Sequence, residues 1–317
     1  MINLEKPSGI ILKKCMAAKK GERILILIDR NNRRIGEALF KKAKEICDAV
    51  IKEIDVPCYD GQEPTADIAK LMLKQDVIVI ATTKSLSHTI ARKAACDAGA
   101  RIASMPGITE TVTKRAIDVD YDKIKKINEK ICSVLKRSRK VRITTSKGTD
   151  LLLSISKKSI FSDDGLYHKK GKWGNLPAGE AGGAPIEGIA EGTVVIDQSM
   201  AGIGKLKRPI KLIIKKGNVV RFVGGKEAAK LRRLLESFKD KKVYNIAELG
   251  IGTNEKAKVS GNILEDEKVY GTAHIALGNN ISYGGKIDAP CHLDGIFSKP
   301  TIFIDGKKRV KSGKIVL

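Results

Sequence analysis

Two of the four histidines in this chain fall in one stretch, YGTAHIALGNNISYGGKIDAPCHLDG at positions 270–295. His274 sits in an apolar frame, and His292 is followed two positions on by Asp294. On an extended segment a spacing of two puts His292 and Asp294 on the same face, within reach of one metal ion. Two acids elsewhere share the unusual setting. Glu180 lies in WGNLPAGEAGGAP, read as a loop too rich in Gly and Pro to be a helix or central strand, and Glu248 ends an apolar run in NIAELGIGTN. An acid in so apolar a frame is costly without a cation or donor beside it. Two imidazoles and three carboxylates make a mixed nitrogen and oxygen set suited to Zn, Co, Mn or Fe(II), and large enough for two hydrolytic metals roughly 3.5 to 4 Å apart. Each histidine alone reads as a satisfied core side chain. The gathering of all five on Gly-rich segments of one half of the chain is what points to a metal centre.

The elements that must position these residues divide into two kinds. From Gly21 onward, continuous apolar runs (RILILID, DVIVIATT, ARIASMPG) alternate with helical patterns, IGEALFKKAKEICDAVI with Ile35, Leu39, Ala43 and Ile46 on one stripe, then SLSHTIARKAACDAG, then DYDKIKKINEKICSVLKRSR. Strands buried on both faces and joined by helices mean a parallel sheet. The order is Rossmann-like, but DRNNRRIG follows the first strand where a dinucleotide site needs GxGxxG, so no dinucleotide is expected. His88, with Ser85, Ser87 and Thr89, reads as a helix start. Beyond position 140 short alternating strands and glycine turns take over, with one helix, KEAAKLRRLLESF. The expected architecture is therefore an α/β chain with a Rossmann-like parallel-sheet domain over 1–140 and an α+β, mostly antiparallel, metal-binding domain over 141–317.

Composition narrows the class. A formal charge of +24 raises the possibility of a basic nucleic-acid-binding protein with a relict metal site, but the lysines are spread along the chain and aromatic residues for base stacking make up only 4%. Solvated surface is the better reading, and nucleic acid is not the expected partner. Six dispersed cysteines without a CxxC pair fit reduced thiols, with only Cys291 near the candidate ligands. No run reaches the roughly 18 to 20 apolar residues of a membrane span, and the N-terminal stretch is broken by Pro7, Gly9 and lysines, so a cytoplasmic protein is expected.

LPAGE ending at Glu180, ELGIGTN from Glu248, GTAHIALG around His274 and HLDG from His292, in that order, resemble the motifs of the aminopeptidase T family of metallopeptidases. KGTDLLLSI at 147–155 and GARIASMPGIT at 99–109 extend the similarity over most of the chain. The resemblance implies that Glu180, Glu248, His274, His292 and Asp294 bind two divalent cations, Zn, Co or Mn, in a homodimer that removes N-terminal residues from short peptides. In that reading Glu180 or Glu248 accepts the proton of a metal-activated water and Tyr283 stabilises the oxyanion. The chain is shorter than the peptidase members and reads HLDG where they read HWDM. Short relatives on the same scaffold include an Fe(II)-dependent dioxygenase that cleaves a dihydroxypyridine ring, which is the alternative expectation.

Overall fold

The computed structural model describes residues 2–317 and divides into two compact units, residues up to Tyr121 with 163–178, and residues 122–162 with 179–317. The first unit is built on a five-stranded, all-parallel sheet. Its order is Asp48–Ile54, Arg23–Asp29, Val77–Ala81, Arg101–Ser104 and Trp173–Asn175. Leu25, Leu27, Ile78, Ile80 and Ile102 form one core with Ala91 and Ala95 of the helix Ile90–Asp97. That helix starts as read, with the Thr89 hydroxyl accepting the Arg92 N–H at 3.1 Å. An earlier helix, Arg33–Lys44, differs from its sequence pattern. It stops at Lys44, and Asp48–Ile54 is an edge strand paired in parallel with Arg23–Asp29. Its Asp48, Lys52 and Glu53 suit a half-solvated edge, which is why no buried apolar run announced it.

The second unit contains two sheets. An eight-stranded sheet takes the segments 141–144, 150–153, 191–196, 210–215, 218–223, 301–304, 307–311 and 314–315. A seven-stranded sheet runs Gly204–Lys205, Ser199–Met200, His292–Phe297, Ala273–Gly278, Ile246–Gly252, Glu180–Gly183 and Phe161–Asp163. One core joins them. Val141, Ile143, Leu151, Val194 and Leu212 from the first meet Ala181, Leu249, Ile251, Ile275, Leu277 and Phe297 from the second. Helix Lys226–Ser237 adds Leu231 and Leu235, and helix Tyr121–Arg137, read from sequence as the end of the parallel layer, adds Ile131 and Leu135 to this core. Among the described residues no helix is long and apolar enough to cross a membrane.

Candidate metal centre

Four neighbouring antiparallel strands of the seven-stranded sheet carry all five candidate ligands. In a strand alternate residues share a face. Leu249, Ile251, Ala273, Ile275 and Leu277 turn into the core, so Glu248, Gly250 and Gly252, with His274, Ala276 and Gly278, line the opposite face. His292 and Asp294 share that face on the next strand. The register then fixes what stands opposite each ligand: Gly252 opposite Glu180, Ala276 opposite both Glu248 and Asp294, Gly250 opposite His274, and Gly278 opposite His292. Apart from Ile296, which pairs with His274 on its other side, these partners are Gly or Ala, which leaves room above the sheet for the long polar side chains. A Cβ built at Gly250 would overlap the His274 ring, so the glycine there is required by the imidazole.

Glu180 is the one ligand whose local structure departs from the sequence reading. It begins a strand, Glu180–Gly183, paired with Ile246–Gly252. The Gly-rich composition that suggested a loop has a different cause: a Cβ at Gly182 would run into the Leu249 carbonyl, so close backbone approach demands glycine within the strand.

The five side chains converge. Glu180, Glu248 and His274 form one group whose donor atoms lie within 4.8 Å of one another, and Glu248, His292 and Asp294 form a second. Glu248 belongs to both. Its carboxylate oxygens stand 3.5 Å from Nε2 of His274 and 3.0 Å from Nε2 of His292, while Nε2 of His292 is 3.5 Å from Asp294. Glu248 and His274 are each 1% exposed, whereas the His292 side chain is 25% exposed, so the centre opens on the His292 side. Nδ1 of His292 donates to the Asn279 carbonyl at 2.7 Å, because a carbonyl can only accept. That bond fixes the ring and directs Nε2 to the acids.

The electrostatics describe a site short of positive charge. Burial works against charge on Glu248, but hydrogen bonding from His274 and His292 holds its carboxyl well below the usual range. Burial likewise disfavours charged imidazoles, and the surrounding carboxylates overcome it, raising His274 to about 9 and His292 well above its ordinary value. Protons on the imidazoles thus stand where a cation would, and metal binding would release them. Two buried atoms, Oε2 of Glu180 and Nδ1 of His274, have no hydrogen-bond partner. A buried acceptor left open in this way costs free energy unless a ligand satisfies it. With two imidazoles and several carboxylates, the donor set fits a divalent metal of the nitrogen- and oxygen-preferring kind.

Sequence reasoning missed Lys268. Its side chain is 1% exposed, and Nζ lies 2.5 Å from Oε1 of Glu180 and 2.7 Å from Oε1 of Glu267. In ILEDEKVYG it looks like a solvated charge at a helix end. Tyr283 is half-buried and packs its ring against His292 (centroids 5.5 Å apart) and Phe161 (5.0 Å). Burial first, then the nearby carboxylates, push its phenol well above the ordinary value. Cys291 faces the other way, with its side chain among the core residues, and burial raises its thiol to about 11. It is not a ligand in this geometry.

A candidate divalent-metal donor set on a two-sheet antiparallel unit, in a chain that also carries a parallel-sheet unit, defines the class: a two-unit α/β scaffold with a candidate metal centre. Within that class the chain belongs to the 2,5-dihydroxypyridine 5,6-dioxygenase (NicX) family, whose model matches residues 10–317. It is 27% identical over 280 residues to the 2,5-dihydroxypyridine 5,6-dioxygenase of Pseudomonas putida KT2440, covering 83% of this chain and 78% of that protein. The fold matches the structure of 2,5-dihydroxypyridine dioxygenase from the same organism with a TM-score of 0.84 at 22% identity, over 100% of this chain and 98% of that one. It also matches wild-type AmpT from Thermus thermophilus, with a TM-score of 0.71 at 16% identity over 99% of both chains. These findings correct the aminopeptidase expectation. Resemblance to the peptidases is shared fold, and the family is that of an oxygenase, so the hydrolase reading, its peptide substrate and the oxyanion role of Tyr283 are set aside.

Proposed function

We propose that this protein is an Fe(II)-dependent ring-cleaving dioxygenase acting on 2,5-dihydroxypyridine or a closely similar dihydroxylated heteroaromatic ring. The observation that carries the reading is a family match over nearly the whole chain coinciding with two imidazoles around a shared carboxylate. His274, His292, Glu248 and Asp294 would hold one ferrous ion. Two histidines with carboxylate and open positions are the donor type of non-haem oxygenases. When bound, ferrous iron supplies the one-electron chemistry through which O2 reacts with a closed-shell ring.

The chain's own residues do the rest. The ring would enter on the His292 side, where the centre opens, and lie against Tyr283, whose contact with Phe161 steadies it. Glu180 is buried, its Oε1 is held by the Lys268 ammonium at 2.5 Å, and its Oε2 has no hydrogen-bond partner. That oxygen can take the proton of a substrate hydroxyl as the hydroxyl approaches the centre. Asn279 holds the His292 ring through Nδ1 and so keeps Nε2 aimed at the carboxylates.

The test is a direct measurement of oxygen. Protein loaded anaerobically with Fe(II) and mixed with 2,5-dihydroxypyridine in air-saturated buffer is expected to consume O2 in equal amount to substrate, with loss of the ring's ultraviolet absorbance. Absence of O2 uptake with this substrate, together with peptide cleavage by the Zn-loaded protein under nitrogen, would sink the proposal.

A further inference from the structure

The five candidate ligands are arranged for two cations. Glu180, Glu248 and His274 form one three-donor group and Glu248, His292 and Asp294 the other, with Glu248 common to both. A carboxylate shared between two such groups is the layout of a bridged metal pair. The two halves nevertheless differ in what already surrounds them. Oε1 of Glu180 receives the Lys268 ammonium at 2.5 Å, and the same nitrogen contacts Glu267 at 2.7 Å. Glu248 and Asp294, among the described residues, pair only with imidazoles.

We propose that Lys268 is a resident cation that engages Glu180 in place of a second metal and limits the centre to one divalent metal ion. The inference deepens the dioxygenase reading and rests on it, since it explains how a donor set rich enough for two metals is confined to one. Lys268 cannot easily withdraw. Its N–H donates to the Glu265 carbonyl at 3.0 Å and its own carbonyl accepts the Asn254 N–H at 2.8 Å, which pins the backbone on both sides of a side chain that is 1% exposed. An ammonium so fixed repels any cation placed against Glu180, and repulsion of a divalent ion is twice that of a monovalent one at the same distance. Lys268 also occupies one of the two oxygens through which Glu180 would bind. The charges agree with a single ion: four carboxylates gather here, Glu180, Glu248, Glu267 and Asp294, and the ammonium with one divalent cation offsets three of the four. One metal leaves coordination positions for an organic ligand and O2, where a bridged pair would hold a water between its ions.

Metal counting tests this without reference to turnover. Metal-free protein is titrated with Mn2+, the bound ion is counted after desalting, and its electron paramagnetic resonance spectrum is recorded. The wild type and Lys268→Arg are expected to bind one ion per chain with the six-line signal of isolated Mn2+. Lys268→Met, and Lys268→Met with Glu267→Gln to remove the second unpaired acid, are expected to bind two, with an exchange-coupled spectrum. Both Met variants are expected to melt lower than wild type when metal-free and to be raised by Mn2+, because a ligand that binds only the folded state stabilises it. Two ions in the wild type would overturn the proposal, as would a folded Met variant that still binds one, or Met variants that saturating Mn2+ fails to stabilise. Wild type that binds one Mn2+ but, loaded with Fe(II), consumes no O2 with 2,5-dihydroxypyridine would sink the dioxygenase reading and leave the metal count standing.

Discussion

Two polar clusters in this molecule sit on well-packed sheets and have opposite character. At the carboxyl end of the parallel sheet, Asp29 accepts from the Asn31 N–H, the Asn32 side chain and the Thr83 N–H, and the Ser87 hydroxyl meets that of Ser104 at 2.8 Å. This is where an open α/β sheet commonly binds ligands, yet these groups are satisfied by one another. On the seven-stranded sheet the reverse holds. Glu180 and His274 keep buried atoms without a hydrogen-bond partner, and two imidazoles, against their burial, carry raised affinity for protons because carboxylates surround them. Clusters that are closed on themselves hold a fold together, while one that is open and oppositely unbalanced asks for a ligand. The first unit thus reads as scaffold and the second as the reactive centre.

The sharpest way to break this contrast is to remove a ligand from the open cluster. His292→Ala is expected to lower metal affinity by more than the roughly 10- to 100-fold typical of losing an outer partner, and to abolish O2 uptake. Because the His292 side chain is 25% exposed, no closed core cavity forms, and circular dichroism should be unchanged. Retained metal at wild-type affinity would remove His292 from the centre. Asn32→Ala, in the closed cluster, should leave metal affinity and O2 uptake as they are and cost stability alone, about 1 kcal/mol for the lost hydrogen bond to Asp29, read in denaturant melts.

A second prediction addresses the small residues that make room for the ligands. Gly250→Ala drives a methyl into the His274 ring, and overpacking of this kind costs about 1–3 kcal/mol. The loss should appear both as a lower Tm and as weaker metal binding, since the displaced imidazole is itself a ligand. A Gly250→Ala protein that binds metal normally would mean the sheet has shifted to accommodate it.

These glycines also mark the limit of what could be read before the structure. The alternating strands, the parallel layer and the grouping of the five candidate residues were legible because apolar periodicity and clustered His and acid residues are local signals. Glu180 was legible as a residue but not as part of a strand, because glycine lowers strand propensity, and only the Leu249 carbonyl opposite Gly182 explains its use there. Asp48–Ile54 was hidden by its charged edge. Lys268 was hidden by its neighbours, since a lysine after Glu265, Asp266 and Glu267 looks solvated until the fold carries it to Glu180. The chemistry was the least legible. Peptidase-like motifs specify a candidate donor set and a sheet register, and the chain that carries them belongs to a dioxygenase family, so the motifs alone could not choose.

The proton occupancy of the open cluster gives a third prediction. His274 is raised from 6.5 to about 9 in the metal-free protein, against its burial, by Glu248 and the other carboxylates. A raised folded-state value contributes stability that is fully present below about pH 6.5 and is lost as pH rises through about 9. The metal-free protein should therefore melt at lower temperature at pH 9 than at pH 6.5, and the metal, which needs the neutral imidazole, should bind more tightly over the same rise. Loading with metal should flatten the pH dependence of Tm. A metal-free protein equally stable at both pH values would show that His274 is not held between carboxylates as described. His274→Ala should reduce this dependence, with His292 and Glu180, also raised, supplying the remainder.

The smallest effect is expected at Cys291, which borders a ligand yet belongs to the closed side of the contrast. His292 turns toward the acids, so Cys291 before it and Leu293 after it turn toward the core, and both pack there. Its thiol is raised to about 11 by burial, with the nearby His292 charge opposing, so at neutral pH it is protonated and a poor metal ligand. Cys291→Ser changes the volume little and places a hydroxyl in a half-buried position, for a cost on the order of 1 kcal/mol. Metal content, O2 uptake and the pH dependence of Tm should all match wild type. Loss of metal from Cys291→Ser with the fold intact would place sulfur in the centre, reverse the assignment of sheet faces at this strand, and favour a softer ion than ferrous iron.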